Sequence, residues 1–243
     1  MARHLHAHDA LVILKNSLVM PNLLYLLKTS ECGDNPLLDQ FDNILRKGLT
    51  EILNVDLNDD QWLQASLPVG DGGLGIRSTQ MLAPSAFLAS AASTLLLQQS
   101  ILPDSMWAPD DQAIESTESL WINLANSSKP AAEVHHIQKA WDGMVAANQQ
   151  SVILFKAFSE TDKARLLVVS TPHAGDWLHA LPKTAVRLRL SDEPVRVAVA
   201  YRLDCNACEH THVCMQKDGG CTWATLTILL QKRSQISTSQ PLE

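Results

Sequence analysis

Glycine and proline are sparse, at 10 and 11 residues of 243, and charged residues make up only 19% of the chain. A disordered or low-complexity chain needs the opposite balance, so a fibre or a linker is excluded. Basic residues are also in deficit. Nineteen Lys and Arg against 26 Asp and Glu leave a formal charge of −7, the wrong sign for a surface that attracts phosphates everywhere. Any nucleic-acid contact must be local. Cysteine is too rare and uneven for a disulfide scaffold, since four of the five fall between Cys205 and Cys221. That clustering points to metal in a reducing compartment. Residues 1–9 contain no continuous apolar run and no small-residue cleavage site, so no secretory signal and an intracellular protein are expected.

Catalytic signatures are missing too. No G-x-S-x-G, H-E-x-x-H or phosphate-loop pattern occurs, so no residue is nominated as catalytic and no small-molecule substrate is expected. Gly70-Asp-Gly-Gly-Leu-Gly75 formally matches the dinucleotide fingerprint, but no strand pattern precedes it. After Asp71 the next acidic residue is Asp104, so the ribose-binding carboxylate expected about 20 residues on is absent. The glycines are read instead as a tight turn between helices.

What the chain does have is apolar mass with helical spacing. At 46% hydrophobic residues over 243 positions, one or two domains with a real core are expected. Leu11, Leu14 and Leu18, then Leu23, Leu24, Leu26 and Leu27, recur at three- and four-residue steps, with Pro21 between them. Pro36 opens an amphipathic run through Leu38, Phe41, Leu45, Leu49 and Leu53. Ser78 can cap a helix rich in Ala and Ser, whose smallness on all sides predicts a central, buried position. The uncharged stretch from Ser78 to Pro103 is broken by Pro84 and by Ser and Thr, so it is read as a buried helix, not a membrane span. Further helices are expected over 112–125, 130–148, after Ser159 and after Ser191. With no set of alternating strands and no repeat, the fold class is mainly α. The acidic residues Asp104, Asp110, Asp111, Glu115 and Glu118 make 104–129 the expected linker.

Two clusters carry candidate chemistry. Cys205, Cys208, His210, His212 and Cys214 place two thiols two residues apart with further donors close behind, a donor set able to hold Zn²⁺; free thiols fit the same spacing. Just before it, Lys183, Arg187, Arg189, Arg196 and Arg202 outweigh Asp192 and Glu193, which suits contacts to RNA or DNA phosphates; a solvated helix and loop fits equally well. His4, His6 and His8 alternate and could share a metal, but a frayed terminal segment is the reading adopted. His135, His136, His173 and His179 are read as ordinary, partly buried histidines.

The stretch from Gln64 to Ser78, Gln-Ala-Ser-Leu-Pro-Val-Gly-Asp-Gly-Gly-Leu-Gly-Ile-Arg-Ser, with Leu82-Ala-Pro-Ser-Ala-Phe-Leu-Ala-Ser-Ala-Ala92, resembles the region just after the polymerase core in non-LTR retrotransposon reverse transcriptases. His173-Ala-Gly-Asp-Trp-Leu-His-Ala-Leu-Pro182, Leu188 to Val199 and Arg202-Leu-Asp-Cys-Asn-Ala-Cys208 resemble the linker and zinc knuckle of elements that end in a restriction-like endonuclease. The resemblance spans most of residues 9–214. It implies a thumb-like helical region over 1–103, the acidic segment 104–129, a helical linker region over 130–204 and a partial zinc knuckle over 205–243.

In that family the polymerase aspartates lie upstream of this region and the nuclease acids lie downstream, so the resemblance implies a non-catalytic remnant. The knuckle departs from the family pattern: Gly219-Gly-Cys-Thr-Trp replaces its late Gly-x-His-Gly-Leu-x-Cys step. A frameshift is expected there, because codons for Leu229 to Ser239 read one base over can spell Ser-Cys-Lys-Ser-Ala-Ala-Arg-Phe-Pro-Arg-His, which resembles the family's next motif. The leading expectation is a remnant with an incomplete zinc knuckle, whose retained activity, if any, is weak nucleic-acid binding, and whose one candidate cofactor is zinc. The alternatives are a helical module for protein interaction or self-association, and an open reading frame with no selected function.

Overall fold

The helical spacing resolves into nine α-helices among the described residues of the computed structural model, which are 5–18, 20–103, 111–157, 159–186 and 188–205. They are α1 (Ala7–Ile13), α2 (Met20–Thr29), α3 (Pro36–Leu53), α4 (Asp59–Ser66), α5 (Thr79–Ile101), α6 (Asp111–Ala125), α7 (Gln138–Lys156), α8 (Glu160–Val169) and α9 (Asp192–Leu203). No strand occurs among these residues, so the fold is mainly α. A π-helical turn, Leu14–Leu18, follows α1. Pro21, which has no N–H to donate, falls in the first turn of α2, where none is required.

Local chemistry sets most of the boundaries. Asn35 caps α3 by accepting from the Leu37 N–H at 2.9 Å, with Pro36 in the first turn, and Asn54 ends that helix in the left-handed conformation at φ 53°. Asn58 and Gln61 form a reciprocal capping box on α4. Ser159 caps α8 through the Asp162 N–H at 3.0 Å. Ser191 occupies the cap position of α9, but its side chain makes no capping bond there.

Helix α5 is the hub, packing against α2, α3, α6 and α7. Its first half is buried through Thr79, Leu82, Ala83, Pro84, Ser85, Ala86, Leu88 and Ala89. The small side chains let neighbouring helices approach closely, as their composition predicts. The second half is different. Leu96 is 78% exposed, Ile101 68% and Leu97 59%, so the buried-helix expectation fails beyond about residue 94. By length and composition α5 alone among the described helices could cross a membrane.

The segment expected to be a linker contains a core helix. Ala113, Thr117, Trp121 and Ala125 of α6 form one buried stripe, and the Trp121 ring meets Trp141 of α7 edge to face, with centroids 4.9 Å apart. Trp121 donates to the Trp141 carbonyl at 3.3 Å, and Trp141 donates to the His135 carbonyl at 2.8 Å. The division into a thumb region and a linker region is not a division of the core either. The largest apolar cluster joins Ala7, Ala10 and Leu11 of α1, Leu45, Leu49 and Leu53 of α3, and Leu74 and Ile76 to Val195, Val199, Ala200 and Leu203 of α9. Residues from both ends of the described chain therefore bury one another.

Candidate functional site: the glycine-rich loop, the basic stretch and the cysteine cluster

The glycine-rich loop folds back onto the end of α4. Gly73 N–H donates to the Pro68 carbonyl at 3.0 Å, Leu74 to Ala65 at 3.1 Å and Gly75 to Leu67 at 2.9 Å. Asp71 and Gly72 donate to Pro68 and Val69. The N–H groups that a phosphate would need are already committed inside the loop. Gly72 and Gly75 take positive φ, at 90° and 76°, and a Cβ on Gly73 would stand 2.1 Å from the Leu67 oxygen. Gly72, Gly73 and Gly75 are required by the turn itself, as the turn reading holds.

Arg202 clamps this loop. Only 3% exposed, it donates from Nε to the Gly73 carbonyl at 3.0 Å, from Nη1 to Ala174 at 3.3 Å and from Nη2 to Val69 at 2.7 Å. Its own carbonyl accepts from Gln64 Nε2 at 2.8 Å and from Arg165 Nη1. Gln64 also donates to the Gly72 carbonyl at 3.2 Å. Burial lowers the Arg202 pKa to about 10, which leaves it charged at neutral pH. Expected at a phosphate, Arg202 instead faces backbone carbonyls in the interior. Its planar fork suits three divergent oxygens, and nothing in its local sequence distinguishes that role from a surface one.

Lys183 is exposed, and Arg187 lies outside the described residues. Arg189 pairs with Asp9. Arg196 is partly buried, with its Nε lacking a hydrogen-bond partner. Lys15, from the π-helical turn, lies against Gly75, and its buried Nζ has no hydrogen-bond partner. Desolvation, and then the Arg202 charge, hold Lys15 below the ordinary lysine range.

His6 and His8 are not frayed. Asp192, at the start of α9, accepts from the Ala7 N–H at 2.9 Å, and His6 Nδ1 lies 3.3 Å from the same oxygen. The Ala7 bond, more than His6, holds the Asp192 carboxyl below its usual range. His8 is 1% exposed, and its Nδ1 accepts from the Leu190 N–H at 3.1 Å. The first helix is thus capped and anchored by α9, which overturns the frayed-end reading; His4 lies outside the described residues. His135 contacts the Pro130 carbonyl at 2.9 Å and tilts against the Trp141 ring, while His173 pairs with Asp176 at 2.9 Å. Of the four histidines expected to be partly buried only His135 is so; His136, His173 and His179 are exposed.

Of the candidate zinc ligands, only Cys205 is among the described residues; Cys208, His210, His212 and Cys214 lie outside them. Cys205 is partly buried against the main core. Burial first, and then Asp204, push its thiol up to about 11 against a weaker opposing pull from Arg165. Among the described residues no group of three or more His, Cys, Asp or Glu is placed to hold an ion.

Two other surface features were not foreseen. An open cleft of about 370 Å³ is lined by Glu31, Cys32, Gly33, Asp34, Asn35, Pro36 and Leu120. The second is the exposed half of α5, where Leu95, Leu96, Leu97, Ile101 and Leu102 face solvent. Its signal in the sequence is the run 87–103, which has no charged residue. No protein-family model, curated protein or solved structure matches this chain.

Proposed function

We propose that the chain is a non-catalytic helical interaction module, the thumb-and-linker remnant of a non-LTR retrotransposon reverse transcriptase, and that it works through protein contacts rather than nucleic acid. The observation that carries this reading is the second half of α5, apolar, uncharged and open to solvent on a chain of net charge −7. Contiguous exposed apolar surface of this kind is the usual mark of an interaction site. The nucleic-acid alternative is weakened because Arg202 is committed to the glycine-rich loop and Arg189 to Asp9.

Two measurements test the proposal. The native chain, at submicromolar concentration, should enhance the fluorescence of anilinonaphthalene sulfonate, and Leu96→Glu with Leu97→Glu should remove that enhancement. Labelled single-stranded RNA and duplex DNA should show no anisotropy change at low salt. Salt-sensitive binding that Lys183→Ala weakens would instead restore the nucleic-acid reading.

Descent from a reverse transcriptase is tested on the coding DNA, where palm codons upstream and the shifted reading of 229–239 are expected. Zinc held by Cys205, Cys208, His210, His212 and Cys214 belongs to the same proposal. A chain that retains no zinc after equilibration with Zn²⁺ would remove it.

A further inference from the structure

We infer that Lys15 is a carbamate-forming site for carbon dioxide: its amine takes up the gas, and the carbamate formed is the anion that the interior around Val69 lacks. The site is independent of the interaction-module reading. Lys15 rides on the π-helical turn Leu14–Leu18, a kind of turn that recurs at functional sites. Its amine end fills the space that a side chain at residue 75 would take, since a Cβ built on Gly75 would stand 2.9 Å from Lys15 Cε and 3.2 Å from Nζ. Val69 Cγ2 lies 3.2 Å from the same point, and the Val69 carbonyl accepts from Arg202 Nη2 at 2.7 Å. Two basic side chains thus converge on Val69.

Among the described residues neither side chain is ion-paired with a carboxylate. The Lys15 Nζ is buried with no hydrogen-bond partner. An ammonium there carries an uncompensated charge, and desolvation, then the Arg202 charge, favour the neutral amine. Desolvation and then the Lys15 charge also lower the His179 pKa, against an opposing pull from Asp176, so the imidazole feels the same positive field. Arg202 has two N–H groups beyond the three that it donates to carbonyls, in a site closed to water. A carboxylate attached to Nζ supplies both the acceptor and the negative charge that this cluster is missing.

Burial selects the electrophile. Aldehydes and acyl donors bring bulk to a covered nitrogen, whereas carbon dioxide is small, uncharged and apolar. In the reaction the Nζ lone pair attacks the carbon and forms an N–C bond. One C–O π bond breaks and leaves its electron pair on oxygen, and one proton passes from Nζ to solvent. Oxidation states do not change, and a neutral amine becomes an anionic carbamate. At neutral pH a lysine of ordinary pKa is less than about 0.1% neutral, so exposed lysines of this chain compete poorly for the gas.

Covalent trapping on the full chain tests the inference. The folded protein is equilibrated at neutral pH with isotopically labelled bicarbonate as the source of carbon dioxide, esterified with a trialkyloxonium salt, and mapped by trypsin and mass spectrometry. Lys15 should carry at least about 10-fold more label than any other lysine, and its carboxylation should block tryptic cleavage after residue 15. Label on the α-amino group, which also forms carbamates, falls on a separate peptide. Lys15→Arg keeps the positive charge and should lose the label with unchanged helical circular dichroism, whereas Lys47→Met, at an exposed lysine, should retain it. Bicarbonate should raise the melting temperature of the wild type above that in equal chloride and leave Lys15→Arg unmoved. An unlabelled Lys15, label spread evenly over the lysines, or equal Lys15 label in urea overturns the inference. So does a wild-type melting temperature that bicarbonate shifts no more than chloride.

Discussion

The carboxylate of Asp42 accepts both the backbone N–H of Thr79, at 2.8 Å, and the Thr79 hydroxyl, at 2.7 Å. Its other oxygen takes the Ser78 hydroxyl at 2.6 Å and the Gln80 N–H at 3.4 Å. A side chain from the middle of α3 thereby caps α5, with its negative charge at the positive end of that helix. Asp42 is 5% exposed, so the donors it satisfies have little access to water.

Asp42→Ala should therefore cost about 3 kcal/mol, combining a lost cap with buried donors left unpaired. Asp42→Asn keeps the shape but turns an amide NH₂ toward donors, and should recover only part of that loss. Urea unfolding of the three proteins checks this; a loss below about 1 kcal/mol for Asp42→Ala would remove the tertiary cap as a main support of α5.

Arg202→Met should destabilise the chain by about 3 kcal/mol, since the carbonyls of Val69, Gly73 and Ala174 lose their donor in a site closed to water. Arg202→Lys should rescue little, because one ammonium cannot reproduce a planar fork. Denaturant midpoints distinguish these outcomes from a surface role, in which both variants would unfold like the wild type.

The glycines should separate into two classes. Gly73→Ala and Gly175→Ala each place a Cβ 2.1 Å from a neighbour, the Leu67 oxygen and Val69 Cγ1, and should each cost several kcal/mol, on the order of 3 or more. Gly48 and Gly143 lie inside α3 and α7 with nothing within 4 Å of a built Cβ. Their alanine variants should gain roughly 0.5–1 kcal/mol. Thermal melts of all four variants provide the comparison.

Lys15 gives a pH signature. Its folded-state pKa lies below the ordinary 10.5 because of burial and Arg202, so the unfolded chain binds this proton more tightly. Stability from this group is therefore lowest below the folded pKa and rises with pH until 10.5 is passed. Lys15→Met should be more stable than the wild type at neutral pH, with the advantage shrinking as pH approaches 10.5. Taking the difference between the two proteins cancels titration elsewhere, including the raised Cys205 thiol, which acts in the opposite direction. A difference that is flat with pH would contradict this account.

Local signals made most of the helices legible. Pro36 and Asn35 announce α3, and Ser159 announces α8. The expected helix 112–125 lies within one residue of α6. The linker reading failed because clustered acids outweighed a four-residue stripe, Ala113, Thr117, Trp121 and Ala125, that was present in the same segment. Asp42, Asp192 and Arg202 were not legible as structural groups, since their partners lie 37, 185 and 129 residues away in sequence. No local pattern encodes such distances. The open half of α5 was hidden for a related reason: composition reports that a helix is apolar, but not whether neighbouring helices are long enough to cover it.

The clasp between α1 and α9 also constrains how the polypeptide reaches its native state. During synthesis the Ala7 N–H emerges long before Asp192 exists, and the face formed by Ala7, Ala10 and Leu11 has no α9 to receive it. Closing so wide a loop comes late and slowly. Nascent chains halted before about residue 192 should therefore bind chaperones through this face and release them once α9 has cleared the ribosome.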